Sequence, residues 1–301
     1  MRPFLRQLKQ ALGVNNMPED KSTSLVNLGE LSKPANTLIK KVSSAVGGVF
    51  EPWQIKRVAK AEAEANLIKA ENEIEITDLH RRVMHRFVEE EAKRQENMEE
   101  ITKKSIPHLN EESDPDEMDN DWVTNFFDKS RIVSDDEMQN IWSQVLSGEA
   151  NSPGSFSKRT VNLLSDLDKK DAELFQTLCR FGWFIGIFSP LVFDPQDDIY
   201  KNLGITFESL SHLDSLGLIQ FNSLTSFSRQ ALPKSFAVIY YRQPLPLAMP
   251  QDSNNVLDVG QVLLSQAGIE LSKIVQAPRV DGFYEYVKEQ WQAHAPKPEN
   301  T

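Results

Sequence analysis

Residues 148–160 read GEANSPGSFSKRT, a glycine-bearing loop that enters a helix whose first turn carries hydroxyls and two cations. Free N–H groups and the dipole at a helix N-terminus attract anions. Gly154, Ser155, Ser157, Lys158, Arg159 and Thr160 are therefore the candidate anion- or partner-binding residues. A nucleotide-binding P-loop needs four residues between its glycines and then Lys-Ser/Thr. Here five residues separate Gly148 from Gly154 and Ser155 follows, so the stretch is not a P-loop. The plainer alternative is local capping and loop stiffening. A third reading pairs Lys158 and Arg159 with an acidic segment such as the chain's own acidic hinge.

Other chemistry finds little support. His80 and His85 stand five apart, about 140° round a helix axis, and do not converge. His85 and Glu89 can meet, but two ligands do not make a metal site. The run DPDEMDND opens like a calcium loop. It then places Met118 where an oxygen ligand belongs and Asp119 where glycine is needed, so a solvated linker is expected. Cys179, the single cysteine, follows Phe175 by four and belongs to an apolar helix face. One cysteine excludes an intramolecular disulfide and a cysteine-based zinc site, and fits a reducing compartment. Neither G-x-S-x-G nor G-x-G-x-x-G occurs. No catalytic residue, metal or cofactor is assigned, and an enzyme is the least favoured reading.

The elements that would position these residues are mostly helical. Residues 1–50 are basic and amphipathic. Arg2, Phe4, Leu5, Arg6, Leu8 and Lys9 form a short helix suited to an anionic membrane surface. A further apolar pattern, broken at Pro34, runs on through Leu38, Ile39, Val42 and Val46 and ends at Gly47-Gly48. Residues 51–106 contain neither Pro nor Gly from Trp53 to Lys104 and predict one charged helix roughly 75 Å long. Its seam includes Ile76, Leu79, Val83, Phe87, Met98 and Ile101, at spacings that suit a coiled coil, with a break expected near Gln95–Asn97. Residues 107–120 form an acidic linker, in which Pro107 and Pro115 stop helices.

Residues 121–194 predict a helical domain. Ser134, with Glu137 three residues on, is the expected cap of a helix that buries Met138, Ile141, Trp142, Val145 and Leu146 and ends at Gly148. Asp168 caps another. The apolar run 181–193 is too short to span a bilayer and suits a buried strand or core segment. Residues 195–293 predict helices and a small antiparallel ribbon, with strands at 236–241 and 256–264, an arrangement similar to a winged helix. Residues 294–301 are a tail. The expected fold is thus mainly α: a long charged helix, a helical body and a winged-helix-like α+β C-terminal module.

Charge sharpens the division. The 301 residues carry a net charge of −11, but residues 1–60 hold ten Lys/Arg against four Asp/Glu. Residues 106–137 hold two against eleven. The basic head therefore suits an anionic surface or the chain's own acidic hinge. Residues 195–301, with eight Lys/Arg against eleven Asp/Glu, lack a basic footprint, and FESLSHLDSLG contains no Arg or Lys. Nucleic acid is a disfavoured partner on this count, and a protein-contact winged helix is preferred.

Three stretches, EPWQIKRVAKAEAEA at 51–65, residues 121–175 with GEANSPGSFSKRT at their centre, and GITFESLSHLDSLGLIQF at 204–221, resemble a bacterial family of unknown function. The resemblance covers most of residues 25–292. More loosely, SDDEMQNIWSQVLSGEA and the helix after it are similar to the abortive-infection alpha family of phage-defence proteins. The resemblance implies a bacterial cytoplasmic protein and no particular reaction. Two readings follow. The first is a non-enzymatic interaction or regulatory protein, with a protein partner or a second copy engaged through the long helix. The second is a peripheral effector at the inner-membrane surface, bound through residues 1–50. A nucleic-acid-binding regulator remains the third.

Overall fold

A computed structural model describes residues 31–46 and 78–292. The chain divides into two compact units, Met1–Lys33 and Pro34–Thr301, and apart from Lys33, the first residue of the first helix, the elements below belong to the second. The predicted membrane-surface residues Arg2, Phe4, Leu5, Arg6, Leu8 and Lys9, the helix over 53–77 and the tail 294–301 lie outside the described residues.

Helix α1 (Lys33–Ala45) starts with Pro34 in its first turn, where proline's missing N–H costs nothing. It buries Leu38, Ile39 and Val42 at helical spacing. Helix α2 (Asp78–Ser105) is continuous, with no break at Gln95–Asn97. Asn97 is instead buried and its side-chain amide donates to the carbonyl of Arg131 at 2.9 Å. A polar residue there marks an interhelix tie rather than a helix end.

The acidic stretch after α2 is exposed over most of residues 107–120, but two of its side chains anchor it to the body. Pro115 is buried and Met118 is 2% exposed. Asp114 and Asp119 spend their carboxylates on backbone N–H groups, and Asp119 accepts from Trp122 N at 2.7 Å to start α3 (Asn120–Ser130). Asp and Asn do this wherever a helix must begin. Lys41 donates to the carbonyl of Asp116 at 2.8 Å.

Helix α4 (Asp136–Asn151) is capped by Asp135, which accepts from Glu137 N and Met138 N, and not by Ser134. It runs past Gly148 to Asn151. Gly148 serves packing: a Cβ there would lie 2.6 Å from Cε2 of Phe156, a ring only 2% exposed. Trp122, Phe126, Phe127 and Trp142 form one aromatic cluster between α3 and α4. Helices α5 (Lys158–Ser165) and α6 (Lys169–Cys179) follow, α5 capped by Ser157 and α6 by Asp168, the latter as the sequence predicts.

The run 181–193 forms a hairpin, β1 (Gly182–Ile185) and β2 (Ile187–Pro190), turning at Gly186 with φ +77°. Only part of it is buried, because Phe184 and Ile187 point outward, 55% and 47% exposed. Beyond α7 (Asp198–Lys201) and α8 (Phe207–Ser215) lie six further strands: β3 (Ile219–Phe221), β4 (Phe227–Leu232), β5 (Ser235–Tyr240), β6 (Gln243–Ala248), β7 (Asn255–Gly260) and β8 (Val262–Leu264). Helices α9 (Gln266–Ser272) and α10 (Phe283–Gln290) close the described chain.

The strands pair antiparallel in three small sheets, β2-β1-β5-β6, β3-β8 and β4-β7. The described residues are thus a mixture of helices and small antiparallel sheets. The expected strand at 256–264 is two strands, interrupted where Gly260 adopts φ +85° and meets Val192. β1 pairs with β5 through Phe184 and Ile239, so strand pairing joins the two sides of the expected 194/195 boundary. Tyr200, Tyr240, Phe181 and Phe283 fill the core beneath these strands, each 2% exposed or less.

Candidate functional site

The GEANSPGSFSKRT loop is built between two buried carboxylates. Glu149, on the last turn of α4, is 2% exposed, and Glu270, on α9, is 5% exposed. The loop folds back so that Glu149 accepts from Gly154 N at 2.7 Å through one oxygen and from Phe156 N at 2.9 Å through the other. Gly154 takes φ +85° to make this return, a region that glycine enters without strain. Glu270 accepts from Ser157 N at 2.7 Å and from Gln266 Nε2 at 2.9 Å. The hydroxyl of Ser157 caps α5 through Thr160 N at 3.2 Å. Trp122 Nε1 donates to the carbonyl of Phe156 at 2.6 Å and fixes the loop against α3.

The two acids titrate in opposite directions. Burial pushes Glu149 up, and the nearby Glu270 charge adds to this against the N–H bonds that favour ionisation. Burial also opposes ionisation of Glu270, but hydrogen bonds from Thr160, Gln266 and Ser157 outweigh it and hold that carboxyl below its ordinary value.

Of the predicted site residues, Gly154, Ser157 and Thr160 come together, but the donors of Gly154 and Ser157 face the chain's own carboxylates. Ser155 offers its carbonyl to Lys273 Nζ at 3.3 Å. Lys158 turns to the acidic stretch, with Nζ 3.6 Å from Asp119 and 3.8 Å from Asp121. Arg159 is exposed. Glu149 and Glu270 themselves escaped the sequence reading. Glu149 sat inside the motif, where an acid four residues before Pro153-Gly154 was the available signal. Glu270 lies 113 residues from its amide partner, beyond any local pattern.

Elsewhere, His85 does meet Glu89, at 3.3 Å across an exposed turn. His212 Nε2 lies 2.7 Å from Asp171, whose other oxygen completes the cap of α6. Among the described residues, no group of three or more His, Cys, Asp or Glu is placed to hold a metal ion. Among them, too, no helix is long and apolar enough to cross a membrane. Cys179 is buried as expected, and burial pushes its thiol far up.

The other unusual surface is the first half of α2. Leu79, Val83 and Phe87 recur every four residues on one stripe and are 60%, 56% and 58% exposed; Met84 beside them is 52% exposed. Ion pairs Arg82–Asp78, Arg86–Glu90 and Arg94–Glu91 flank the stripe along the helix.

The fold and these two features define a helix-and-small-sheet body with a charged helix that carries an exposed apolar stripe and with an internally satisfied acidic loop. The chain belongs to the DUF2806 family, a protein family of unknown function, whose profile matches residues 81–288. No curated protein and no solved structure matches it.

Proposed function

We propose that this chain is a non-catalytic interaction or regulatory protein that pairs with a second copy of itself through the first half of α2. The observation that carries this is the stripe of Leu79, Val83 and Phe87, each more than half exposed on a helix with few other apolar residues. Large apolar side chains aligned on one exposed helix face mark a partner-binding surface. Charge supports an antiparallel pairing. Arg81, Arg82 and Arg86 precede Glu89, Glu90 and Glu91 along the helix. A parallel pair would set each group beside its own copy, whereas an antiparallel pair sets arginines against glutamates.

Contact rather than catalysis is also supported by the acidic loop, whose two buried carboxylates are engaged by backbone amides. The similarity of residues 134–150 to the abortive-infection alpha family supports a role for this pairing in phage defence, within the bacterial cytoplasm.

Sedimentation of the full chain at tens of micromolar tests the reading. The wild type should sediment as a dimer, and Val83→Asp/Phe87→Asp as a monomer with an unchanged circular dichroism spectrum. Association should weaken as salt screens the cross-helix charges. A monomeric wild type, or a dimer that survives both substitutions, refutes the proposal.

A further inference from the structure

The four-stranded sheet β2-β1-β5-β6 buries one face and leaves the other open. Trp183, Ile185, Val238, Tyr240, Leu245 and Leu247 turn to the core. On the opposite face the register sets Phe188, Phe184, Ile239 and Pro244 side by side, one from each strand. Phe184 is more than half exposed and Ile239 is 41% exposed. The two phenylalanine rings meet edge to face, centres 5.5 Å apart. Neither edge of the sheet suits another strand. β6 carries Pro244 and Pro246, which lack the N–H that a further strand would need, and β2 is only four residues long. A partner of this sheet must lie on its face.

That face carries no acid. Segments 181–190 and 235–248, which form the sheet, contain a single charged residue, Arg242. In a chain of net charge −11 this is a local reversal, which the charge count over 195–301 averaged away. Arginines stand at both ends of the strands. Arg242 lies in the β5–β6 turn, and Arg180 precedes β1 at the same end, where its Nε donates to the carbonyl of Pro278 at 3.1 Å. At the other end Arg229 Nη2 donates to the carbonyl of Ile185, the last residue of β1, at 3.4 Å. A neutral carbonyl leaves the guanidinium charge uncancelled. Among the described residues, none of these three arginines is in an ion pair, whereas Lys234 and Arg279 nearby face Asp252 at 2.8 Å and Asp281 at 3.9 Å.

Open rings on neighbouring strands and unpaired cations at the rim are the two halves of a single-strand nucleic-acid platform. Bases stack on the aromatic faces and phosphates pair with the cations. A duplex hides its base faces within its own stack, so the rings gain nothing from one. A lipid surface also favours rings and cations, but it is held by clusters of about four to eight Lys/Arg. Here there are three, set at opposite ends of the strands.

We infer that the open face of this sheet binds single-stranded nucleic acid, with bases on Phe184 and Phe188 and phosphates on Arg180, Arg229 and Arg242. The inference does not rest on the α2 pairing.

Fluorescence anisotropy of the full chain provides the test. The probes are labelled oligothymidylate and oligouridylate of about ten nucleotides, within the site sizes of such platforms, and a duplex of the same length. At least one single strand should bind saturably and more tightly than the duplex, and the tighter of the two names the source, DNA or RNA. Three phosphate contacts predict an affinity that falls about twentyfold between about 50 and 200 mM salt. Arg180→Gln/Arg242→Gln leaves one contact and should cut that fall to about threefold. Phe184→Leu keeps an exposed apolar side chain but removes the ring face, and should weaken binding about fivefold or more, while Phe184→Tyr binds as wild type. The arginine pair gives a readout independent of the ring. The inference falls if no single strand saturates at the lower salt, if the duplex binds as tightly, or if either Phe184→Leu or the arginine pair behaves as wild type. It also falls if these variants lose flotation with phosphatidylserine vesicles in place of strand binding, which would make the face a lipid contact.

Discussion

Replacing Glu149 by Gln leaves the side chain's shape and removes one of its two acceptors. The amide group that takes the second oxygen's place then faces the N–H of Gly154 or of Phe156, donor against donor. One charge-assisted bond is lost and one buried N–H is left without an acceptor, against partial relief from burying an ion. Such losses cost about 1–3 kcal/mol. Urea unfolding of the full chain at pH 7, followed by circular dichroism and with equal m-values, should show a deficit of that size. The pH dependence separates this acid from its neighbour. A carboxyl held above its ordinary value near 4.5 binds its proton more tightly in the folded chain. Its contribution is complete below about pH 4.5 and declines as pH rises through the folded value. The deficit of Glu149→Gln should therefore be largest near pH 4 and shrink toward pH 7. Glu270 is held low, so its contribution is complete above its ordinary value and is lost as pH falls through the folded one. The deficit of Glu270→Gln should shrink below pH 4.5 and stay level above it. Deficits that change with pH in the same direction, or a Glu149→Gln deficit under about 0.5 kcal/mol at pH 7, would refute the two-carboxylate account of the loop.

Three further outcomes follow from local geometry. Asp135→Ala should cost about 1 kcal/mol as the loss of a helix cap, while Ser134→Ala should change little; urea midpoints for the pair decide which residue starts α4. Gly148→Ala should destabilise the chain because Phe156 must move, and adding Phe156→Leu should recover part of the loss, a non-additivity readable in a double-mutant cycle. Gly260→Ala should prevent folding or cost more than any other substitution named here, since its Cβ would stand 2.3 Å from the carbonyl oxygen of Val192 at φ +85°; soluble yield and thermal unfolding measure it.

Much of the fold was legible because it follows from local rules. Ser157, Asp168 and the spacing of Leu38, Ile39 and Val42 each act within one helical turn, so the sequence marks them directly. Gly148 shows where that reading fails. A glycine near a helix end looks like a terminator, but here it makes room for the Phe156 ring eight residues on. The acidic stretch shows a related gap. Net charge suggested a solvated linker, and most of its residues are exposed, but Asp114 and Asp119 are local caps and Met118 is core. Composition describes how a segment meets water on average. Packing depends on which atom of each residue finds a partner.

The same distinction governs the GEANSPGSFSKRT loop. The sequence located a loop rich in donors at a helix start, and donors at a helix start do gather negative charge. What it could not locate was the source of that charge. Glu149 lies within the motif and Glu270 arrives from α9, and together they occupy the amides of Gly154, Phe156 and Ser157. An external anion at these amides would have to displace a carboxylate tethered to the same fold, whose local concentration no free ligand matches. Beyond these, Lys158 reaches toward Asp119 and Asp121, and the Ser155 carbonyl accepts from Lys273. An external anion must therefore compete with Glu149 and Glu270, so titration of the full chain with inorganic phosphate should show no saturable binding that Lys158→Ala/Arg159→Ala removes; such binding would return the anion to the helix start.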